Sequence, residues 1–382
     1  MNKQLLQLGK LGEKQSRLIV GLMSGTSLDG LDIAICECSD EKVTVKAFKT
    51  EDYGSVLRAR LRSIQSKEEV SLPEVCRLNT EMAHLYADWT LEALKEWGIS
   101  TDDIDLIASH GQTIYHAPEH AQISTFQIVD GDHIAQRTGI ITISDFRQKH
   151  TAAGGQGAPI AEMMDRRLFR HQTTHRVLLN LGGIANFTWL PSKESGEEVT
   201  SSDTGPANTI INEAMAKYYG YSYDDGGKVA SMGTVNDALL KALMSKDYFS
   251  KPFPKTTGQE DFNLKNVEEI ISSQGIELAD SDLIATLTEF TVESVALAIK
   301  KMVNEKSFEL IVSGGGLHNP QIMNRLKEEF PNAGIRPSGE LGIDSDAKEA
   351  ALMAYLANEL VLGRTFEVNG EQVSLGKISI PG

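Results

Sequence analysis

The most constraining feature of this chain is a glycine-containing turn between two short apolar segments near its start. Arg17-Leu-Ile-Val-Gly-Leu-Met leads into Ser24-Gly-Thr-Ser-Leu-Asp-Gly30, and the alternating run Leu31-Asp-Ile-Ala-Ile-Cys follows. Apolar runs of this length and period-two alternation predict strands, and glycine permits the backbone angles of a tight turn. With a third alternating run over Lys42–Phe48, the pattern predicts a three-stranded meander.

The rest of the first half alternates between helical and strand-like patterns. Leu, Met, Ala and Trp recur at helical spacing, and short β-branched runs bounded by turn residues lie between these segments. The predicted helices cover 55–65, 73–97 and 130–137, and the predicted strands cover 104–109, 125–129 and 139–143. Strands that alternate with helices predict an α/β sheet.

The second half repeats the opening pattern. The small, flexible stretch Thr151–Pro159 is a plausible crossing between lobes. Beyond it, the strand-like runs 175–181 and 184–190 flank the turn Gly182-Gly183, which predicts two similar lobes. Further helices are predicted at 159–169, from Ser202–Pro206 onward, near 228–245, at 281–303, from about 319 and at 344–361. Asp344 or Ser345 is the predicted cap of the last helix. A strand is predicted at 308–313, and loops are predicted at 193–198 and 251–259.

Composition limits the partners of this chain. The formal net charge is −16, from 37 basic and 53 acidic residues in 382. Nucleic acid requires a basic face, and anionic membranes are disfavoured for the same reason, so neither is an expected partner. An anionic ligand would need local donors such as backbone N–H groups. The oligomeric state stays open, a homodimer included.

Cysteine usage and hydropathy point to the cytoplasm. The three cysteines, Cys36, Cys38 and Cys76, have no zinc-like spacing, and reduced thiols are the expectation. Residues 1–16 do not form the apolar run of a signal peptide, and no run of about 18 apolar residues occurs.

Three glycine turns, each after an apolar strand, carry the chemical argument. In the first, Gly25 and Gly30 allow N–H groups to converge on an anion, and Thr26 and Ser27 add hydroxyl donors. Asp29 and Asp32 add carboxylates that suit a metal. Asn180-Leu-Gly-Gly-Ile-Ala-Asn and Gly314-Gly315-Gly316 are the other two. For each of them a plain structural turn is the alternative, and the first is neither a Walker A loop nor G-x-G-x-x-G.

Two polar groups follow other predicted strands. Asp145 comes directly after the strand 139–143, where a carboxylate could act as a base, although a lone Asp is more often a cap or an ion-pair partner. His110-Gly-Gln-Thr follows the strand 104–109 and offers groups suited to sugar hydroxyls or an amide. A structural histidine is the alternative for His110.

Taken together, the motifs resemble those of the anhydro-N-acetylmuramic acid kinase family. They run in the family's order over about residues 20–350. The motifs are Gly21-Leu-Met-Ser-Gly-Thr-Ser-Leu-Asp-Gly-Leu-Asp, Ser109-His-Gly-Gln-Thr, Ser144-Asp-Phe-Arg, Ala152-Ala-Gly-Gly-Gln-Gly-Ala-Pro, Asn180-Leu-Gly-Gly-Ile-Ala-Asn, Asp203-Thr-Gly-Pro and Ser313-Gly-Gly-Gly.

The resemblance implies a two-lobed actin-like (ribonuclease H-like) α/β ATPase fold with a nucleotide cleft between the lobes. The first lobe would be 17–144 with 344–363, the second 145–343, and 1–16 and 364–382 would be peripheral. It implies ATP contacts at Gly25, Thr26, Ser27, Leu28, Asp29, Gly30, Leu31, Asp32, Asn180, Gly182, Gly183, Gly314, Gly315 and Gly316. It also implies Asp145 as catalytic base, substrate contacts at His110, Gln112, Thr113 and Arg147, and metal ligands at Asp29 and Asp203.

The implied reaction uses ATP and Mg²⁺. Water activated by Asp145 would open the 1,6-anhydro bridge of 1,6-anhydro-N-acetylmuramic acid. The freed O6 would take the γ-phosphoryl group, giving N-acetylmuramic acid 6-phosphate and ADP in peptidoglycan recycling. Related sugar kinases carry an aspartate just before the first turn, whereas this chain has Gly21-Leu22-Met23.

Other functions fit parts of the pattern. A kinase of another small sugar or of a carboxylic acid on the same fold is the nearest alternative. A glycosidase-like hydrolase with Asp145 and a second carboxylate would turn over without ATP. A non-catalytic sugar sensor would typically carry a DNA-binding module, for which 16 residues before the first strand are too few. A metal-dependent relative would need a His-x-x-x-His pair on a helix, and no predicted helix carries one.

Overall fold

The computed structural model describes residues 3–40, 42–118, 122–157, 160, 164–258, 260–342 and 346–382. The chain divides into two compact units. Unit 1 comprises residues 1–164 and 342–382, and unit 2 comprises residues 165–341. Among the described residues, none of the helices combines the length and the hydropathy that a bilayer crossing requires.

Unit 1 is an α/β unit built from both ends of the chain. Its elements are α1 (Lys3–Leu11), β1 (Ser16–Ser24), β2 (Gly30–Ser39), β3 (Val43–Asp52), α2 (Gly54–Arg62), α3 (Leu72–Glu96), β4 (Leu106–Ala117), β5 (Ser124–Ile128), α4 (Gly131–Thr138), β6 (Thr142–Ser144), α5 (Phe146–Ala152), α11 (Lys348–Val361), β12 (Phe366–Val368), β13 (Glu371–Val373) and β14 (Lys377–Ser379).

Unit 2 is continuous in sequence. Its elements are β7 (His175–Leu181), β8 (Ile184–Leu190), β9 (Thr200–Pro206), α6 (Asn208–Tyr219), α7 (Asp237–Met244), α8 (Leu264–Gln274), α9 (Asp280–Val303), β10 (Phe308–Ser313), α10 (Pro320–Glu329) and β11 (Gly334–Pro337).

The same strand arrangement occurs in both units. In unit 1, β1, β2 and β3 form an antiparallel meander, β4 runs parallel to β1, and β6 runs parallel to β4. In unit 2, β7, β8 and β9 form the meander, β10 runs parallel to β7, and β11 runs parallel to β10. The α/β prediction is therefore confirmed, and the repeated strand–turn–strand pattern corresponds to the first two strands of each sheet.

Strand β1 lies at the centre of its sheet. Its residues from Leu22 to Ser24 are buried, as expected for a strand that is covered on both faces. Helix α11 lies so close to this strand that a Cβ at Gly21 would be 1.9 Å from the carbonyl oxygen of Ala350. Glycine at position 21 is therefore required by the close packing of α11 against β1. The small alanine side chains of α11 allow the same close packing.

Several predicted elements differ from the structure. Ser202–Pro206 belongs to strand β9, and helix α6 begins only at Asn208, after the strand has paired with β8. The helix predicted near 228–245 is a 3₁₀ turn at Ala230–Met232 followed by the short helix α7. In the predicted helix 159–169, only Ile160 and 164–169 are described, with a π-helical turn at Asp165–Phe169. The predicted caps Asp344 and Ser345 lie outside the described residues.

The division into units differs from the predicted lobes at the start of the second lobe and at both termini, because residues 1–16 and 364–382 fall in unit 1. Residues 146–152 form α5, which packs beside β5 and belongs to unit 1, so the predicted start of the second lobe at 145 precedes the division at 165. The tail also belongs to unit 1, because β14 pairs with β6 as an additional strand. Long-range strand pairing of this kind leaves no local signal in the sequence.

Candidate active site

The first glycine turn connects β1 and β2 and exposes its polar side chains. Thr26, Ser27 and Asp29 are exposed, whereas Leu28 is buried. The φ angle of Leu28 is 62°, an uncommon value for a residue with a branched side chain. Burial of this side chain therefore holds the turn in a shape that presents two hydroxyl groups at its surface.

A buried polar network fixes the base of this turn. Ser24 Oγ donates to Gln112 Oε1 at 2.5 Å, and Gln112 Nε2 donates to the carbonyl of Gly25 at 3.1 Å. The Tyr53 hydroxyl donates to Ser24 Oγ at 2.7 Å and contacts the Tyr86 hydroxyl. The amide of Gln112 thus holds the turn in place by hydrogen bonds, whereas the sequence analysis predicted a contact of Gln112 with the substrate.

Thr113 is also engaged within the fold. It is buried in β4, and its hydroxyl accepts a hydrogen bond from Gln127 Nε2 at 3.2 Å. Gly111 precedes Gln112 with a φ of 75°, and a Cβ there would lie 2.4 Å from the carbonyl oxygen of Ile128. The bulge at this glycine aims the neighbouring side chains of β4 in directions that a regular strand would not allow.

Carboxylates gather beside the start of β2. Burial raises the pKa of Asp32, the hydrogen bond from Thr50 opposes this shift, and the charges of Asp346 and Asp29 add to it. Burial and the charge of Asp32 also raise the pKa of Glu349. Glu349, in the first turn of α11, was not predicted, and an acidic residue at a helix start is its only sequence signal.

Asp145 follows β6 in the left-handed region, with a φ of 58°. Its carboxylate forms an ion pair with Lys377 on the tail strand β14. Both residues line a cavity of about 490 Å³. The remaining lining includes His110, Asn79, Asp130 and Ser144 at its polar side and Leu72, Phe126 and Ile378 at its exposed apolar rim.

Arg147 and His110, predicted separately from two motifs, are brought into contact. Arg147 Nε donates to His110 Nε2 at 2.8 Å, and Arg147 Nη1 donates to the carbonyl of Gly157 at 3.2 Å. The N–H of Gly157 in turn donates to His150 Nδ1 at 2.9 Å. Burial, followed by the charge of Arg147, lowers the pKa of His110 to about 3, so this imidazole is neutral.

In unit 2, two predicted glycine elements meet. Ser313, the last residue of β10, pairs with Asn180 of β7. Gly314 has a φ of 83°, and a Cβ there would lie 2.6 Å from Asn180 Oδ1. Asn208, at the start of α6, donates from Nδ2 to the carbonyls of Leu181 at 2.8 Å and Gly182 at 2.9 Å. Strand ends and a helix start therefore converge on the Gly182-Gly183 turn.

A cavity of about 520 Å³ adjoins these glycines. It is lined by the backbone of Gly315 and Gly226 and by polar side chains with one aromatic ring. These side chains include Asn208, Asn212, Tyr223, Asp224, His318 and Asn319. Amide and imidazole groups beside an exposed aromatic ring suit a nucleoside. The sequence analysis predicted only the glycines of this cavity, because its lining comes from three separate segments of the chain.

Asp203 lies near the end of β9, and no ion pair to it occurs within the described ranges of unit 2. Its Oδ2 accepts a hydrogen bond from the Thr257 N–H at 2.9 Å, and its backbone carbonyl accepts one from the Tyr248 hydroxyl at 2.9 Å. Burial raises the pKa of Asp203 above its ordinary value, and the Thr257 hydrogen bond opposes the shift. A carboxylate with a raised pKa is a stronger base than an ordinary one.

Comparison with known proteins identifies one family. The family model for anhydro-N-acetylmuramic acid kinase matches residues 17–374. A protein of that name from Pseudoalteromonas atlantica is 43% identical over 400 residues, covering 100% of both chains. One from Pseudoalteromonas translucida is 39% identical over 398 residues, covering 99% of both.

The likeness to solved structures is weaker. The activator of 2-hydroxyisocaproyl-CoA dehydratase from Clostridium difficile with bound ADPNP has a TM-score of 0.45 and 14% identity, covering 90% of this chain and 95% of that one. A similarity of this size assigns neither fold nor function. The sequence relationship is sufficient by itself, because it spans both units and every motif described above. This chain belongs to the anhydro-N-acetylmuramic acid kinase family.

Proposed function

We propose that this chain is an ATP-dependent kinase that opens 1,6-anhydro-N-acetylmuramic acid with water and phosphorylates O6. The products are N-acetylmuramic acid 6-phosphate and ADP, and the reaction serves peptidoglycan recycling in the cytoplasm. The observation that carries this proposal is the family match over residues 17–374, which includes every glycine turn. The names of full-length relatives argue against another sugar or a carboxylic acid as acceptor.

Each glycine turn has a part in binding ATP under this proposal. In unit 1, the exposed hydroxyls of Thr26 and Ser27 and the backbone of Gly25–Asp32 bind terminal phosphate oxygens. In unit 2, Asn180 and the Gly182-Gly183 turn bind phosphate, and the cavity beside Gly314–Gly316 takes the adenosine. Gln112 and Thr113 are positioning residues of β4, because their polar atoms are bonded to protein groups.

Magnesium is part of the proposal. Mg²⁺ in kinases binds one or two carboxylates together with substrate phosphates and water, and it would supply neutralisation of phosphate charge. Asp29 and Asp32 are the residues that would hold it. Burial, with the charges of Asp346 and Asp29, raises the pKa of Asp32, so a bound cation would offset the cost of the charged carboxylate. Asp203, the other predicted metal ligand, is proposed as the catalytic base.

The chemical sequence has two displacements. A carboxylate takes a proton from water as the water oxygen bonds to C1, and the C1–O6 bond breaks. O6 then bonds to the γ-phosphorus of ATP as the bond to the ADP oxygen breaks, and the carboxylate releases its proton to solvent. Positioning and charge stabilisation supply most of the rate in such transfers.

We assign the base to Asp203 in place of Asp145. The carboxylate of Asp145 is held in an ion pair with Lys377 on β14. Asp203 has a raised pKa and one backbone donor. The expected result is that Asp203→Asn loses at least about a hundredfold in kcat, while Asp145→Asn keeps at least about tenfold more kcat than Asp203→Asn.

Those two variants decide between the carboxylates. Bound ADP, measured by calorimetry, should be retained by both proteins if they fold. An inactive Asp145→Asn variant beside an active Asp203→Asn variant would return the base to Asp145.

An isotope experiment tests the reaction itself. The protein is incubated with ATP, Mg²⁺, 1,6-anhydro-N-acetylmuramic acid and ¹⁸O-water, and the product is examined by mass spectrometry. Label is expected at the anomeric oxygen and not in phosphate. Unlabelled sugar phosphate, or ADP without a sugar product, would contradict the mechanism, and ring opening without ATP would favour the hydrolase.

A further inference from the structure

Arg147 is a half-buried cation with an incomplete set of partners. Its Nε and one Nη1 hydrogen are bonded to His110 Nε2 and the Gly157 carbonyl, both neutral acceptors. In the described part of the chain, no carboxylate oxygen lies within 4.0 Å of the guanidinium. No acceptor for Nη2 lies among the described residues, and the edge formed by Nη1 and Nη2 can donate one hydrogen bond to each oxygen of a carboxylate.

The neutral partners of Arg147 are held in turn by the fold. His110 is buried, and its Nδ1 donates to the carbonyl of Gly111 at 3.0 Å, which leaves Nε2 as the acceptor. His150 accepts the N–H of Gly157 and so orients the carbonyl that receives Arg147 Nη1. The guanidinium is therefore fixed by two independent contacts before any ligand arrives, a pre-organised arrangement.

Among the described residues, no carboxylate forms an ion pair with Arg147. Burial is the largest cause that lowers the pKa of His110 and His116 on β4 and of His150 on α5, and the charge of Arg147 is the next cause for all three. Burial also lowers the pKa of Arg147 itself, and the charge of Glu349, beyond ion-pair distance, opposes this shift. A desolvated cation without an anion is costly to maintain, and an anionic ligand would remove that cost.

We propose that Arg147 binds the carboxylate of the lactyl group of the sugar substrate and that His110 and His150 are its positioning residues. This inference rests on the proposed function, whose substrate carries that carboxylate. The phosphates of ATP are the other oxyanions available to the enzyme, and the exposed hydroxyls of Thr26 and Ser27 serve those. Arg147 then determines specificity, because an anhydro sugar with a hydroxyl in place of the lactyl ether leaves the guanidinium unpaired.

The test compares two acceptors in the full-length protein. Wild type is assayed for ADP release with 1,6-anhydro-N-acetylmuramic acid and with 1,6-anhydro-N-acetylglucosamine, which lacks the lactyl group. We expect wild type to prefer the first by at least about thirtyfold in kcat/KM. In Arg147→Met this preference should fall below about threefold, through a raised KM for the first sugar, while the KM for ATP stays within twofold.

Two further variants separate binding from folding. Arg147→Lys should restore part of the preference, since it restores the charge without the fork. Arg62→Met, at an exposed position on α2, is the matched control and should behave as wild type. His110→Gln, which keeps an acceptor, should retain more of the preference than His110→Leu, with kcat less affected than KM in both.

The outcomes are distinguishable. If wild type phosphorylates neither sugar, the proposed function fails. If wild type shows the preference and a folded Arg147→Met variant retains it, the function stands and the assignment of Arg147 is overturned. If the variant instead raises the KM for ATP, Arg147 binds phosphate and the assignment is equally overturned.

Discussion

The hydroxyl of Ser24 lies 2.5 Å from Oε1 of Gln112, across 88 residues of sequence. The same amide donates to the carbonyl of Gly25, so one side chain on β4 holds two consecutive residues of the β1–β2 turn. The position of the proposed phosphate donors in unit 1 therefore depends on a residue that need not touch ATP.

Gln112→Ala should weaken ATP binding. Two buried hydrogen bonds are lost and their partners are left unsatisfied, which costs about 1–2 kcal/mol. The KM for ATP is expected to rise about five- to thirtyfold in steady-state assays, with a smaller effect on the KM for the sugar. Gln172→Ala, at an exposed position in unit 2, serves as the control. An unchanged KM for ATP would remove Gln112 from this positioning role.

Gly314→Ala should destabilise unit 2 and disturb its nucleotide cavity. The backbone at position 314 has a φ of 83°, and an added Cβ would lie 2.6 Å from Asn180 Oδ1 and 2.7 Å from the backbone carbonyl of Leu181. We expect a loss of at least about 2 kcal/mol in the free energy of unfolding by urea.

Gly275→Ala is the matched control for that substitution. Gly275 has a φ of 62° at the end of α8, and a Cβ there meets nothing within 4 Å. Its cost should be limited to the left-handed backbone, about 1 kcal/mol. Equal destabilisation by the two substitutions would show that the contact with β7 contributes little.

Leu375→Ala should test whether the tail belongs to the core of unit 1. Leu375 is 1% exposed, so truncation is expected to cost about 2–5 kcal/mol in the free energy of unfolding. Ile378, three residues later, is 45% exposed, and Ile378→Ala should change stability by less than about 0.5 kcal/mol. A neutral Leu375→Ala would instead make the tail peripheral.

His110 should make the protein sensitive to acid. Its pKa is about 3 in the folded protein and near the ordinary 6.5 in the unfolded chain. Below 6.5 the unfolded state therefore binds a proton that the folded state does not, and stability falls as the pH drops from about 6.5 towards 3. His110→Gln should reduce this slope, measured by urea unfolding between pH 5 and 7.5, whereas the exposed His171→Gln should not. An unaltered slope in His110→Gln would mean that another group causes the acid sensitivity.

Much of the fold follows from local sequence patterns. The meanders at the start of each unit were predictable because strand alternation and turn glycines are properties of neighbouring residues, as in β1–β2 and β7–β8. The three glycine turns of the candidate site were identified for the same reason. Strand β9 was not, because Thr200–Pro206 is polar and acquires its structure by pairing with β8.

The roles of individual side chains depend on contacts that no local pattern encodes. Asp145 was conspicuous in the sequence as a carboxylate at a strand end, but its ion pair comes from Lys377, 232 residues later. Asp203 was noted only as a possible ligand, and its raised pKa results from burial.

The same separation applies to Arg147 and His110. The sequence predicted that each of these two polar residues follows a strand. Their contact could not be predicted, because it arises from the pairing of β4 with β6 in the sheet. Residue types and turn positions are set by the local chain, since backbone preference acts over a few residues. Charge compensation, burial and pKa are set by tertiary packing, because they depend on atoms that are distant in sequence and close in space.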